Sequence, residues 1–244
     1  LLDNRHVECM ADLATAFWTR FTRGSHRIQD LDEVVVLYRT ILFHAVPGNS
    51  KTIEWLNGLG LALWERYKMT KSIADMEHAI FYFRRASISY PTPCDPFTLS
   101  NLGNILMAKA RAFKDSNEAD EAISHYRRAL NSVTPLHPHR SAFLSNLGDA
   151  LAYRYDRRSL MPDLNEAIRC YGRALDLPPP HHRDRVTSLL FYADKLQLRY
   201  HRTGEREDLE LAVKQYQEAK GLATPGHPKY AIVVESLVLA QREL

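Results

Sequence analysis

The sequence predicts an all-α chain built from repeated helix pairs, and three observations carry that prediction. A Leu-small pair recurs at Leu13-Ala14, Leu59-Gly60, Leu102-Gly103, Leu147-Gly148, Tyr192-Ala193 and, more weakly, Leu237-Val238, in steps of 46, 43, 45, 45 and 45. A second string keeps the same register: "DLDEVVVLYRTIL", "DMEHAIFYFRRAS", "EADEAISHYRRAL", "DLNEAIRCYGRAL" and "DLELAVKQYQEAK" begin at residues 30, 75, 118, 163 and 208. Eleven of the twelve prolines fall in the connectors that follow these strings, where proline ends a helix.

Each half of the unit has the period of a helix. Leu164, Ala167, Ile168, Tyr171, Ala174 and Leu175 lie at i, i+3, i+4, i+7, i+10 and i+11, one apolar stripe down a helix. Leu144, Leu147, Leu151 and Tyr155 make the matching stripe on the helix before it. The core positions of the second helices are Val34, Ala79, Ala122, Ala167 and Ala212, each with an aromatic four residues on: Tyr38, Phe83, Tyr126, Tyr171 and Tyr216. Pro162 stands at the start of a second helix, a position that tolerates it. Asp30-x-x-Glu33 and Asp163-x-x-Glu166 read as capping boxes with aspartate as the cap, and Ser72-x-x-Asp75 as a looser version. Gly60, Gly103 and Gly148 fit a need for two helices to approach closely. The boundaries expected are repeats at 5–51, 52–95, 96–140, 141–185 and 186–229 and a terminal helix at 230–244, one array over 1–244.

The Leu-Gly pair, then Ala, an aromatic four later, Ala three after that and Pro soon after resemble the tetratricopeptide (TPR) repeat. The positions are Leu147, Gly148, Ala167, Tyr171, Ala174 and Pro179, with Leu59, Gly60, Ala79, Phe83, Ala86 and Pro91 as a second copy. The departure is length, since the TPR unit has about 34 residues and this one steps by about 45, so longer helices or a longer internal turn must absorb the rest. The fuller pattern, "LSNLG" with Arg-Tyr, "DLNEAI" and "TPGHP", is similar to the TPR-like arrays found upstream of CHAT (caspase-like) peptidase domains. That resemblance implies a right-handed superhelix whose first helices line a concave surface, used as a protein-interaction scaffold for a peptide or protein surface. A structural spacer or regulatory arm of such a peptidase, without its own ligand, is the alternative, and a helical enzyme stands third.

On the face the resemblance makes concave, the candidate partner-binding residues are Trp18, Asn57, Trp64, Lys68, Asn101, Asn104, Arg111, Asn146, Asp149, Asp156 and Asp194. Trp18 and Trp64 would neighbour each other at one end, where tryptophan is a frequent hot-spot residue. The asparagines would pair with a peptide backbone in the middle, and the aspartates make the far end acidic. A cationic ladder, Arg20, Arg66, Lys109, Arg154 and Arg199, sits seven residues after each anchor. Seven steps of about 100° return it to the anchor's face, and the next helix opens on an acid in every repeat, so these side chains read as structural ion pairs.

Other chemistry is weakly represented. His137-x-His139, His181-His182 and His227 lie on separate connectors without a thiolate nearby, so no metal site is expected. Cys9, Cys94 and Cys170 lack metal or redox spacing and suit a reducing, cytoplasmic setting. No catalytic constellation and no cofactor are expected. A net charge of +3 from 32 basic and 29 acidic residues offers no single-sign field for nucleic acid or membrane. The lack of an initiator Met, a leader and a membrane span suggests a soluble piece of a longer chain; the last helix, with the apolar "AIVVESLVLA", lacks a polar capping face, which supports that expectation and suggests self-association.

Overall fold

The structure is a computed structural model that describes residues 4–46, 48–88, 94–177 and 185–244. Among these residues every regular element is helical. The helices are α1 (Asn4–Arg20), α2 (Ile28–His44), α3 (Thr52–Thr70), α4 (Ile73–Ile88), α5 (Pro96–Phe113), α6 (Ser116–Asn131), α7 (Arg140–Arg158), α8 (Met161–Leu175), α9 (Arg185–Thr203), α10 (Arg206–Leu222) and α11 (Tyr230–Glu243). A π-helical turn, Phe21–Ser25, extends α1. Pro91, Pro179 and the His181-His182 pair lie outside the described residues.

The chain divides into two compact units, Leu1–Lys114 and Asp115–Leu244. In the first, α1 packs on α2, α2 on α3, α3 on α4 and α4 on α5; in the second, α6 through α11 pack on one another in the same successive way. Sequence neighbours are thus spatial neighbours, the arrangement of helical repeats. The first helices of the pairs run 17 to 19 residues and the second helices 15 to 17. Longer helices therefore take up the extra length of the repeat.

The apolar stripes face the core. Leu144, Leu147, Leu151 and Tyr155 are buried, as are Leu164, Ala167, Ile168, Tyr171 and Ala174, while Leu175 is only partly covered. The glycines of the anchor pair have a specific neighbour. A Cβ on Gly60 would stand 3.0 Å from the Phe83 ring, and one on Gly148 would stand 2.9 Å from the Tyr171 ring. In both repeats the second helix's aromatic lies across the first helix where a side chain is missing.

First helices end on a residue in the left-handed region: Lys71, Lys114, Ser159 and Gly204, each donating its N–H to the carbonyl four residues back. In each of these repeats the residue lies five after the ladder position. In the first repeat the corresponding turn ends at His26, six after Arg20, with Gly24 at φ +134 inside the π-helical turn. One inserted residue is thus absorbed as a π turn, which accounts for the 46-residue first step.

Two of the expected capping boxes are corrected. Helix α2 begins at Ile28 and α8 at Met161, so Asp30 and Asp163 sit inside the first turn, buried, and neither caps its helix. Their carboxylates go to arginines instead. The looser pattern does cap: the Ser72 hydroxyl accepts the Asp75 N–H at 3.3 Å. Asp95 and Asp115 cap α5 and α6, accepting the N–H groups of Thr98 and Asn117.

Candidate functional site

The ladder residues occupy one place in every repeat. Arg66 donates from Nε and Nη2 to Asp75 at 2.8 and 2.6 Å, Arg154 to Asp163 at 2.8 and 2.6 Å, and Arg199 to Asp208 at 2.6 and 2.6 Å. Arg20 grips Asp30 in the same way, and the Ser25 hydroxyl adds a bond to that carboxylate at 2.6 Å. These bidentate forks raise the pKa of Arg66, Arg154 and Arg199 above the usual arginine range, through hydrogen bonding first, against the opposing effect of burial.

Three forks also reach backwards. Arg66 Nη1 donates to Asp32 at 2.8 Å, Arg154 Nη1 to Asp120 at 2.7 Å and Arg199 Nη1 to Asn165 at 3.2 Å, each 34 residues upstream. Lys109 takes the equivalent part with Glu77 at 2.9 Å. These arginines therefore tie a first helix both to its own second helix and to the second helix of the preceding repeat.

The aromatic of the second helix controls another stripe position. Tyr171 donates its hydroxyl to Asp149 at 2.8 Å, and Tyr216 donates to Asp194 at 2.7 Å, both across 22 residues. Where the aromatic is Phe83 and has no hydroxyl, the residue 22 earlier is Leu61. Asp149 and Asp194 are thus engaged within their own repeats. Burial pushes the Asp194 carboxyl up despite the Tyr216 bond, and burial beside Asp194 pushes Tyr216 up in turn.

Trp18 and Asn57 do come together. A cavity of about 440 Å³ opens between α1, α2 and α3, lined by Thr15, Trp18, Tyr38, Ile53, Asn57 and Leu61, with Glu54 and Asp95 also among its lining residues and no cationic residue there. The Asn57 Oδ1 atom is buried with no hydrogen-bond partner. Such an atom costs free energy unless a donor reaches it. A smaller hollow of about 250 Å³ shares Thr15, Tyr38 and Glu54 and adds the acids Glu8 and Asp12, with Lys51 tied to Glu8 at 3.4 Å. Gly58 makes the main cavity possible: a Cβ there would lie 2.7 Å from the Tyr38 ring, so only glycine lets that ring lie against α3.

Trp64 is not among the residues lining the cavity. Its ring stacks on Tyr67 at 5.4 Å and 15°, with the Lys68 ammonium 5.9 Å above it and 2.6 Å from Glu65. Trp18 has Phe21 as its ring neighbour at 6.1 Å. Asn101 and Asn104 are half-buried on α5 and Arg111 is exposed; on α7 Asn146 is half-buried and Asp156 exposed. His137 and His227 have local work, accepting the N–H groups of His139 and Lys229 at 3.2 and 3.1 Å within like-built "TPLHP" and "TPGHP" turns. Among the described residues no cluster of ligating side chains could hold a metal ion, and no helix is long and apolar enough to cross a membrane. Burial pushes the Cys170 thiol up to about 11.

The fold has counterparts among solved structures. YrrB, described as a TPR protein with an unusual peptide-binding site, superposes with a TM-score of 0.55 at 15% identity over 95% of this chain and 100% of its own. TTC0263, a thermophilic TPR protein in Thermus thermophilus, gives 0.55 at 16% identity over 94% and 99%. BtubC from P. vanneervenii gives 0.52 at 16% over 92% and 93%. The chain has the fold of a TPR-like repeat protein. No family model and no curated protein matches the sequence. In this TPR-like chain the aromatic-on-glycine contact and the arginine forks hold the repeat, and among the described residues buried polar capacity is left over at Asn57 beside the cavity and at the Ser141 hydroxyl on α7.

Proposed function

We propose that the chain is a protein-interaction scaffold without catalytic activity of its own, and that the cavity between α1, α2 and α3 receives a basic side chain from a bound peptide. The observation that carries this reading is an aromatic-walled cavity with Asn57 in its lining, a residue whose buried carbonyl oxygen has no hydrogen-bond partner. Trp18 and Tyr38 offer ring faces, to which a cation is drawn. Glu54, with Asp12 in the adjoining hollow, supplies carboxylates, and the charges of Asp95, which caps α5, and of Glu8, which is paired with Lys51, lie nearby. An arginine or lysine would place its stem on the rings, its donors on Asn57 Oδ1 and its charge beside the acids. The peptide-binding site described for YrrB supports a binding role for this kind of fold.

The 45-residue step and the "LSNLG" and "TPGHP" strings support a setting beside a CHAT peptidase domain in the cytoplasm, with the array as its recruiting arm. The single array over 1–244 belongs to the same proposal, as does pairing with a second copy through Ile232, Val238 and Leu239, which are exposed on α11.

Selection of displayed peptides on the purified chain tests the site. Enriched peptides should share an arginine or lysine, and Trp18→Ala and Asn57→Ala should each weaken their binding about tenfold, the loss of one buried contact, with the thermal melt unchanged. Selected peptides without a basic residue, or binding indifferent to both substitutions, would sink the proposal.

A further inference from the structure

The second unit has a groove whose charge is out of balance. It runs between α6 and α8, encloses about 330 Å³, and has Leu144 and Leu147 of α7 among its lining residues. Four guanidinium groups line it, from Arg127, Arg140, Arg169 and Arg173, against one carboxylate, Glu166. Glu166 is already taken, because Arg127 grips it from Nε and Nη2 at 3.3 and 2.6 Å. Among the described residues, no carboxylate is paired with Arg169 or Arg173, both exposed.

The next repeat supplies an internal control. Forty-five residues on, Arg185 takes the place of Arg140, and both donate from Nη1 to the carbonyl ten residues back, Leu130 at 3.0 Å and Leu175 at 3.2 Å. Arg185 then donates from Nε and Nη2 to Glu218 at 3.0 and 2.9 Å. The residue equivalent to Glu218 is Arg173. A structural ion pair in one groove is thus replaced by two like charges in the other, and like charges side by side cost stability. The neighbouring Cys170 thiol, protonated at neutral pH, offers no compensation.

We infer that the α6–α8 groove is a binding site for a phosphate monoester, its phosphate held by Arg140, Arg169 and Arg173 and its carbon body lying on Leu144 and Leu147. A carboxylate has two oxygens and one charge, enough for one fork. A phosphate monoester carries close to two charges and three terminal oxygens, which matches three arginines. Leu130, Leu144 and Leu147 line the groove beside the arginines, so the ester's organic group has apolar neighbours there. The ester can be a free small molecule or a phosphorylated side chain; both present the same group.

Isothermal titration calorimetry on the whole chain tests this with phenyl phosphate, inorganic phosphate, benzoate, a capped phosphotyrosine peptide and a single-stranded oligonucleotide. Phenyl phosphate should bind about tenfold tighter than inorganic phosphate and than benzoate, and less tightly at high salt. Arg173→Glu rebuilds the Arg185–Glu218 arrangement, so it should melt no lower than the parent while binding falls at least about tenfold; Arg169→Gln should weaken binding as well. Equal affinity for phenyl phosphate and the peptide assigns the site to a free ester, and tighter peptide binding assigns it to a modified side chain. Absence of saturable phenyl phosphate binding, preference for inorganic phosphate or a single-stranded oligonucleotide, or full binding by Arg173→Glu would each overturn the inference. Trp18→Ala should leave it untouched, which separates this site from the cavity in the first unit.

Discussion

Replacing Arg154 by methionine removes one side chain from three bonds, and its cost can be worked from where the partners sit. Asp163 lies in the first turn of α8 with its side chain 7% exposed, Arg154 is 18% exposed and Asp120 is 38% exposed. Removing one member of a buried pair costs about 3–5 kcal/mol, whereas exposed pairs contribute about 0–1 kcal/mol. The Asp163 fork falls towards the first range and the Asp120 bond within the second, because Arg158 still holds Asp120 at 2.7 and 3.3 Å. The positive end of the α8 dipole retains part of the Asp163 carboxylate's stabilisation. A loss of about 2–3 kcal/mol is expected, measured by urea unfolding followed by circular dichroism. The double variant Arg154→Met/Asp163→Leu should be no worse than Arg154→Met alone, because the stranded charge is then gone. A loss below about 1 kcal/mol, or strict additivity in the double variant, would refute the assignment of Asp163 as a buried partner that needs Arg154.

Three further outcomes follow from the same packing. Gly148→Ala should destabilise although alanine favours helix, because the new methyl meets Tyr171 at 2.9 Å and that ring is fixed by its bond to Asp149; Gly172→Ala should be neutral or stabilising, because its one tight contact is the hydroxyl of half-buried Tyr192 at 3.2 Å and the ring carbons lie at an ordinary 3.4 and 3.7 Å. Parallel thermal melts of the two variants decide this. Asp194→Asn should stabilise at neutral pH while keeping the Tyr216 bond, because burial raises the Asp194 pKa and its ionisation opposes folding as pH climbs past the ordinary carboxylate range. Below that range the variant and parent should melt alike. Asp120 has the opposite sign: burial pushes it up, but the hydrogen bonds and charges of Arg154 and Arg158 outweigh that and hold it low, so its stabilisation is kept at neutral pH and lost on acidification.

The fold class and the pairing of helices were legible because both depend on local periodicity. Apolar spacing sets which face of a helix is buried, and proline sets where a helix ends, without reference to distant residues. The nine-residue separation between Arg66 and Asp75, repeated at Arg154 and Asp163 and at Arg199 and Asp208, is a short-range fact of the same kind. So is the extra residue before His26, visible as a 46-residue step. The caps at Asp30 and Asp163 misled because a carboxylate near a helix start has two uses, and only the position of the arginine on the neighbouring helix decides between them.

What lies between repeats needed the tertiary structure. The 34-residue reach of Arg154 to Asp120, the crossing of Tyr38 over Gly58, and the tyrosine bonds to Asp149 and Asp194 depend on how far one helix stands from the next. That spacing is set by side-chain packing, which a one-dimensional pattern does not encode. Asn57 and Trp18 lie on the face that the TPR resemblance makes concave, but the cavity they share with Tyr38 exists only because three helices leave it open. The four arginines beside Leu144 are scattered over 47 positions, from 127 to 173. The sequence by itself determined the repeat, its helices and its buried stripes; the packing of adjacent helices decided which polar groups are satisfied and which remain available to a ligand.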